Sequence, residues 1–475
     1  MQTAEDRSFV QSMQVNRPSP PDIPPIPGIV LFAGEQAAAL SSDSAMDEAL
    51  SAAYGTAITP AAHARLGSWL AACVISRSEP ADVYCSDADG LTVLFDGYIS
   101  HIADESPVIL SQSQSRNARL VARLYHEHGT DTPRLLFGSF VGLVLDAKRG
   151  QALLFNDRQG SRPLFRRISD PVSACIAPQT RFLSRIEPQS TKLNTAAIGE
   201  FLVRGCFYGT DTLFDDIEKV PQASAVVISQ TGLTWGRYWN LHYGPASSDD
   251  EDALTDEFDR LIRQATRRLL DIVGNPAVLL SGGLDSRLML AYLLAEGATP
   301  RCFSYTTSDG AGDDHSIAKA VADHCGLPHE IYPIPISDFE RAAVKETLAA
   351  DGRVQMIDAP SNRWEYIGAI HPAMFIGDEC FGWQGKAHTP DEALDLVGWW
   401  NTDAAPRISD WIRREKYKDI VRGIEAKRRR LIDDAGRSDN HNDLKDWLYY
   451  SERMGNLLNG YSARRLAVAE QARPF

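Results

Sequence analysis

The stretch Ala277-Val278-Leu279-Leu280-Ser281-Gly282-Gly283-Leu284-Asp285-Ser286-Arg287 decides how the C-terminal half of this chain is read. Its apolar start reads as a strand, Ser-Gly-Gly-x-Asp-Ser as a turn, and Leu288-Met289-Leu290-Ala291-Tyr292-Leu293-Leu294 as a helix. A strand, a glycine turn and a helix start together make a phosphate-binding device. The glycines let backbone N–H groups approach oxyanions, and the helix N-terminus adds unpaired donors and positive dipole. Ser281 and Ser286 add hydroxyl donors. Asp285 cannot favour bare phosphate, so it is expected to hold a divalent cation that neutralises it. The Gly-Lys-Ser/Thr of a Walker loop is missing. An ordinary strand–helix turn would need neither the carboxylate nor both serines.

Outward from this loop, Arg301–Tyr305 reads as the next strand, 315–325 as a helix and His329–Tyr332 as a further strand. That alternation predicts a doubly wound parallel sheet. Ala253–Val273 has the pattern of an amphipathic helix, and 387–470 reads as mostly helical additions. The run Lys427-Arg428-Arg429-Arg430 is expected on a solvated helix face. Upstream, residues 1–27 are polar and then proline-rich, an arm rather than a core element. Short apolar strands follow at Ile29–Phe32, Val83–Tyr84, Leu91–Phe95, Gly142–Asp146, Ala152–Phe155 and Ala225–Ser229, with helices near Asp43–Tyr54 and Ser115–His128. The expected organisation is an arm (1–27), an N-terminal domain (28–240), a linker (241–252) and a C-terminal domain (253–475), with a cleft between the domains.

A length of 475 residues suits two or three domains. A net charge of −15 disfavours a general nucleic-acid binder and an anionic membrane surface. No apolar run approaches the ~20 residues of a membrane span. Glu5, Asp6 and Arg7, with no apolar core behind them, do not make a signal peptide. The seven cysteines are scattered without a Cys-x-x-Cys pair, which suits a reducing cytoplasm.

In motif order the chain resembles the asparagine synthetase family. Ser281–Ser286 resembles the pyrophosphate loop of enzymes that split ATP between its α and β phosphates. Phe303-Ser304-Tyr305, the Ile317–His329 pattern, Gly377-Asp378-Glu379-x-Phe381-Gly382, Glu470 and Pro474-Phe475 follow. Gly28-Ile29-Val30, Phe95-Asp96-Gly97-Tyr98-Ile99-Ser100, Phe137–Gly142 and Asp157-Arg158-x-Gly160-x-Arg162-Pro163-Leu164 resemble that family's glutamine-amidotransferase half. The resemblance implies an α/β fold with two parts. The first is an α-β-β-α sandwich of the N-terminal-nucleophile type, in degenerate form, and the second is the doubly wound sheet.

It also implies ATP and Mg²⁺. Asp285 and Asp378 would hold the metal, with Glu379 beside them in the catalytic set. Leu279, Ser281, Gly282, Gly283, Asp285, Ser286, Tyr305 and Gly377 would bind the nucleotide. A helix cap is the other reading of Asp378-Glu379, and a core aromatic the other reading of Tyr305. His315 is expected near a helix cap and His329 as a structural imidazole.

Three departures shape the expected function. Pro27 stands where glutamine-dependent members carry a catalytic cysteine, and proline offers neither thiol nor free amine. Asp96 replaces the asparagine that helps stabilise the oxyanion, and a carboxylate there would repel the developing negative charge. Phe375 stands where the family has Glu or Tyr, and it cannot transfer a proton. Glutamine hydrolysis is therefore expected to be absent. Beyond Pro-Phe the family continues to a lysine that contacts the phosphates. Here the sequence stops at Phe475, and Lys386 and Arg473 are the candidate substitutes.

The resemblance points to an AMP-forming ligase closing a macrolactam on a precursor peptide, as lasso-peptide cyclases do. A leader-peptide-binding protein and a protease of the same pathway would then be partners. A small-molecule cyclase, an ammonia-fed asparagine synthetase or a non-catalytic scaffold are the alternatives. A peptide substrate implies a wide groove near the second-carboxylate loop, with Trp364, Tyr366, Phe375 and Trp383 as its candidate lining.

Overall fold

The computed structural model describes residues 25–76, 81–103, 116–186, 191–243, 250–307, 314–334, 339–354, 364–371, 373–377, 385–397, 413–435, 440–466 and 470–472. Two six-stranded antiparallel sheets form the N-terminal part. The first holds β1 (Gly28–Ala33), β2 (Ala62–Leu66), β3 (Leu70–Ile75), β8 (Phe165–Ile168), β9 (Ala174–Ala177) and β10 (Glu218–Lys219), in the order β10-β8-β9-β1-β3-β2. The second holds β4 (Asp82–Ser86), β5 (Leu91–Ile102), β6 (Leu136–Asp146), β7 (Gln151–Asn156), β11 (Ser224–Ser229) and β12 (Gly232–Arg237), in the order β12-β11-β7-β6-β5-β4.

Strand periodicity explains how these sheets stack. Along β1 every residue is buried, yet alternate side chains enter different cores. Ile29, Leu31 and Ala33 join the core between the sheets. Val30 and Phe32 face the other way, into a core with Met46 and Leu50 of α1 (Asp43–Tyr54) and Phe182 of α3 (Thr180–Ile186). On β6, Val141, Leu143 and Leu145 face the inter-sheet core. Phe140 and Val144 pack instead with Leu120, Val121 and Leu124 of α2 (Arg116–His128). The result is the expected α-β-β-α sandwich.

A third sheet is entirely parallel. It comprises β13 (Ala277–Leu279), β14 (Arg301–Thr307), β15 (His329–Ile334), β16 (Ala373–Phe375) and β17 (Glu470–Ala472), in the order β15-β14-β13-β16-β17. Both faces are covered, as parallel sheets require. On one face Val278, Leu280 and Phe375 pack against three helices. These contribute Leu269 from α4 (Glu251–Val273), Met289, Leu290 and Leu293 from α5 (Leu284–Ala295), and Ala318 and Ala322 from α6 (Asp314–His324). On the other face Ala277, Phe303 and Met374 meet Ile367 of α7 (Trp364–Ile370). This is the doubly wound sheet that the sequence pattern predicts. Strand β17, at its edge, is not among the strands read from periodicity; at three residues it is too short to show any.

Two readings change. The acidic Asp250-Glu251-Asp252, read as the end of a linker, starts α4: the Asp250 side chain accepts from Ala253 N at 2.8 Å, and the other two sit in the first turn. The basic run of α8 (Arg414–Asp434) is only half solvated. Lys427 and Arg428 are buried. Lys427 pairs with Glu200 and with Asp211 (2.6 Å), and Arg428 pairs with Asp391 at 2.6 Å. Buried cations persist because carboxylates from other elements meet them.

The parts of the chain are stitched together. Thr180 and Arg181 donate backbone N–H groups to Asp351, Cys206 bridges to Val354, and Lys219 donates to Gly455 O (2.6 Å) and Asn456 Oδ1 (2.7 Å). Those last two acceptors lie in a π-helical stretch, Tyr449–Leu458. Among the described residues no helix is long and apolar enough to cross a membrane.

Candidate active site

Strand order in the third sheet reverses at β13, with β14 on one side and β16 on the other. Such a switch point leaves a crevice beyond the strands' carboxyl ends, where open α/β sheets bind ligands. A cavity of about 170 Å³ occupies that place. It is lined by Leu279, Leu280, Ser281 and Ser286 of the first crossover, by Ser304 and Tyr305 of β14, by Asp314 and His315 of α6, and by Ile376 and Gly377 after β16. Five of the predicted nucleotide-binding residues (Leu279, Ser281, Ser286, Tyr305 and Gly377) thus meet at one cleft.

The loop is held by its own hydroxyls. Ser286 is buried, and its Oγ donates toward the carbonyls of Ser281 (3.1 Å) and Gly283 (3.3 Å) while accepting from Ser281 N (3.1 Å). The two serine Oγ atoms lie 2.9 Å apart, and Ser281 Oγ accepts from Gly283 N at 3.2 Å. Ser286 is therefore a brace that shapes the turn. Gly283 caps α5 without any side-chain acceptor, and the helix start faces the crevice with its positive dipole end. Asp285 sits in that first turn, half exposed.

Two glycines set the loop against its neighbours. A Cβ on Gly282 would lie 3.0 Å from Asp314 Oδ1 and 3.1 Å from Ile317. A Cβ on Gly377 would lie 2.9 Å from Asp285 O, 3.0 Å from Asp285 C and 3.2 Å from Ser286 Cα. The residue preceding Asp378 is thus packed on the backbone of Asp285. Asp378 and Glu379 themselves lie outside the described residues. Among the described residues no group of three His, Cys, Asp or Glu side chains is assembled to hold a metal. A carboxylate at a helix start beside the glycine turn fits a hard cation that is held jointly with phosphate.

Ser304, which the motif reading quoted but gave no role, pins the strand before the loop. Its Oγ donates to Leu280 O at 2.6 Å and lies 2.8 Å from His329 Nε2. With the hydroxyl hydrogen spent on Leu280, the imidazole donates through Nε2–H and its buried Nδ1 stays unprotonated. Burial, then Lys319, lowers the His329 pKa. His329 is accordingly a structural imidazole. Asp314 and His315, from the acidic turn expected to open a helix, line the cleft, and so does Ile376, which the sequence did not single out because nothing local distinguishes it from a strand end.

Phe375 departs from its expected place. It is fully buried between Val278 and the helices of the sheet's core, so it lines no groove. A three-residue strand buried on both faces presents no side chain to the crevice. Trp383 and Arg473 lie outside the described residues, as do the side chains of Trp364 and Tyr366. Lys386 is exposed and does not line the cleft.

In the N-terminal sandwich, Pro27 is buried and Ile26 N donates to Gln179 Oε1 at 3.0 Å. The position matching the family's nucleophile is thus an interior link of the chain. Asp96 pairs with the buried Arg162 at 2.9 Å. The repulsion expected from this carboxylate is therefore offset by a guanidinium that also donates to Ser139 O. Gly97 has φ 118°, and a Cβ there would lie 2.0 Å from Ser139 O, so only glycine fits against Arg162.

Residues 109–239 match a glutamine amidotransferase domain model and residues 257–367 an asparagine synthase model. An amidase of Gibberella zeae, amidase chry2, is 23% identical over 49% of this chain and 36% of its own length. The glutamine-hydrolyzing asparagine synthetase 3 of Bacillus subtilis is 23% identical over 70% of this chain and 58% of its own length. The chain thus spans well under two thirds of these curated relatives. A glutamine phosphoribosylpyrophosphate amidotransferase structure from B. subtilis, in complex with ADP and GMP, superposes on 55% of this chain and 51% of its own. Its identity is 12% and its TM-score 0.24, and the fold described above rests on the chain's own sheets. With an amidotransferase match followed by an asparagine synthase match, the chain has the two-part organisation of the asparagine synthetase family.

Proposed function

We propose that this protein is an ATP-dependent amide-forming ligase that activates a carboxylate as its adenylate and releases pyrophosphate. The observation that carries the proposal is the Ser281–Ser286 loop at the sheet's switch point, with Gly377 packed against it. The N-terminal first turn of α5, with its positive dipole end, would receive the phosphates. Leu279 and Tyr305 offer an apolar edge and a ring to the base. Asp285 and Asp378 would hold Mg²⁺, which supplies charge neutralisation on the phosphates. Ser286 and Ser304 keep the loop in register through Ser281 and Leu280.

The amine does not come from glutamine on this reading. A buried proline at position 27 cannot act as nucleophile. The buried Phe375 ring cannot move a proton, so an amine that is already neutral and correctly placed is the fitting acceptor. A peptide N-terminus closing on an Asp or Glu side chain meets that requirement. We therefore favour macrolactam formation of the lasso-cyclase kind, in the cytoplasm, with a leader-peptide-binding protein and a protease as pathway partners. A small carboxylate is the second reading, favoured by the modest 170 Å³ of the cleft.

Pyrophosphate release from ATP and Mg²⁺, with peptides bearing an acidic residue and with small amino acids offered in parallel, tests both readings. Asp285→Asn should abolish the release while the urea midpoint stays close to that of the parent. Normal turnover by this variant, or release of glutamate from glutamine by the parent protein, would overturn the scheme.

A further inference from the structure

A second cavity, of about 380 Å³, lies where β5 and β6 of the sandwich meet α4 and the π-helical stretch. It shares no lining residue with the ATP cleft. Its size falls within the ~300–1,000 Å³ usual for small-molecule sites. Two cations line it, Arg158 from the sandwich and Arg268 from α4. Among the described residues neither guanidinium has a carboxylate partner, although a half-buried cation ordinarily finds one. Arg158 donates to Arg134 O at 2.9 Å, while its buried Nε–H has no partner.

Aromatic rings form much of the remaining wall, with small polar side chains such as Ser100, Ser161 and Asn459 between them. The Arg158 guanidinium lies 3.7 Å from the Phe137 ring centre and 5.3 Å from that of Trp239. His101 stacks on Phe137 at 4.2 Å. Burial, then Arg268 and Arg158, pushes the His101 pKa down to about 4, so the imidazole adds no charge at neutral pH. Asp157, the carboxylate behind this wall, is itself spoken for: it accepts from Phe140 N, Gln159 N and Ser161.

From two guanidiniums that have no carboxylate partner among the described residues and face aromatic walls, we infer that this cavity binds an organic anion, a carboxylate or phosphate carried on a flat apolar body. The guanidiniums would take the anionic head by charge-assisted hydrogen bonds, and Phe137 and Trp239 would take the body. Because the two arginines come from different parts of the chain, the bound anion would also tie the sandwich to the ligase half.

Calorimetric titration of the full chain tests this, with inorganic pyrophosphate present throughout to occupy the phosphate loop. The probes are phenyl phosphate, phenylacetate and the neutral benzyl alcohol. One or both anions should bind at a single site, the tighter one identifying the head group, and benzyl alcohol should bind at least tenfold more weakly. Arg268→Gln, on a helix surface, should weaken the anion by roughly ten- to a hundredfold, the range of a charge-assisted hydrogen bond, and Arg268→Lys should recover part of the loss. Absence of anion binding at millimolar concentration, equal binding of benzyl alcohol, or unchanged affinity in a folded Arg268→Gln protein would each overturn the inference. The benzyl alcohol comparison needs no variant and decides the matter if Arg268→Gln does not fold.

Discussion

Gly377→Ala isolates the contact between the phosphate loop and the end of β16. The added Cβ would sit 2.9 Å from Asp285 O and 3.0 Å from Asp285 C, whereas ordinary contact begins at 3.4 Å. The difference, 3.4 − 2.9 = 0.5 Å, has to be taken up by backbone on both sides, because no flexible side-chain end is involved. Inserting a methyl group into such packing costs about 1–3 kcal/mol. The functional cost is expected to be larger. A displacement of about half an ångström between Asp285 and the segment carrying Asp378 loosens any site the two share. Misplacement by ~1 Å can cost on the order of 100-fold in rate, so a loss of roughly tenfold is expected here. Continuous pyrophosphate release and urea unfolding read the two effects separately. Gly236→Ala is the control, since its Cβ would meet nothing within 4 Å and its cost should stay within about 0.5 kcal/mol. Parent-like rate and urea midpoint in Gly377→Ala would refute the claim that this approach positions the loop.

Two further outcomes follow from buried polar groups. Ser304→Ala removes the donor to Leu280 O and the acceptor for His329 Nε2–H, and should cost about 1–3 kcal/mol in urea unfolding while slowing pyrophosphate release. Lys219 is buried, and burial followed by Arg353 lowers its pKa to about 7 from an unfolded value of 10.5. Between those values the unfolded chain binds the extra proton, so stability rises with pH from about 7 to about 10 and is lost as pH falls through that window. The stability difference between the parent and Lys219→Met should therefore widen in the parent's favour from pH 7 to pH 10, as followed by chemical unfolding at each pH. A flat or narrowing difference would count against the lowered amine.

Much of this was legible in one dimension because it rests on local physics. Short apolar runs along β1 and β6 and the strand–glycine–helix run at 277–294 are patterns of neighbouring residues, and they announce strands and a doubly wound sheet before any contact is known, while the sandwich is what the family resemblance implies. Ser281–Ser286 declares an anion site for the same reason, since the turn, its braces and the helix start are contiguous. Partners distant in sequence are a different matter. Lys427 reads as solvated until Glu200 and Asp211 arrive beside it, and Asp96 reads as repulsive until Arg162 neutralises it. Phe375 reads as a pocket residue until both faces of β16 are covered. Burial and charge pairing depend on what other segments bring within a few ångströms, and only tertiary packing decides that. The pairing of Arg158 with Arg268 in one cavity belongs to this second class, since the two stand more than a hundred positions apart and share no motif.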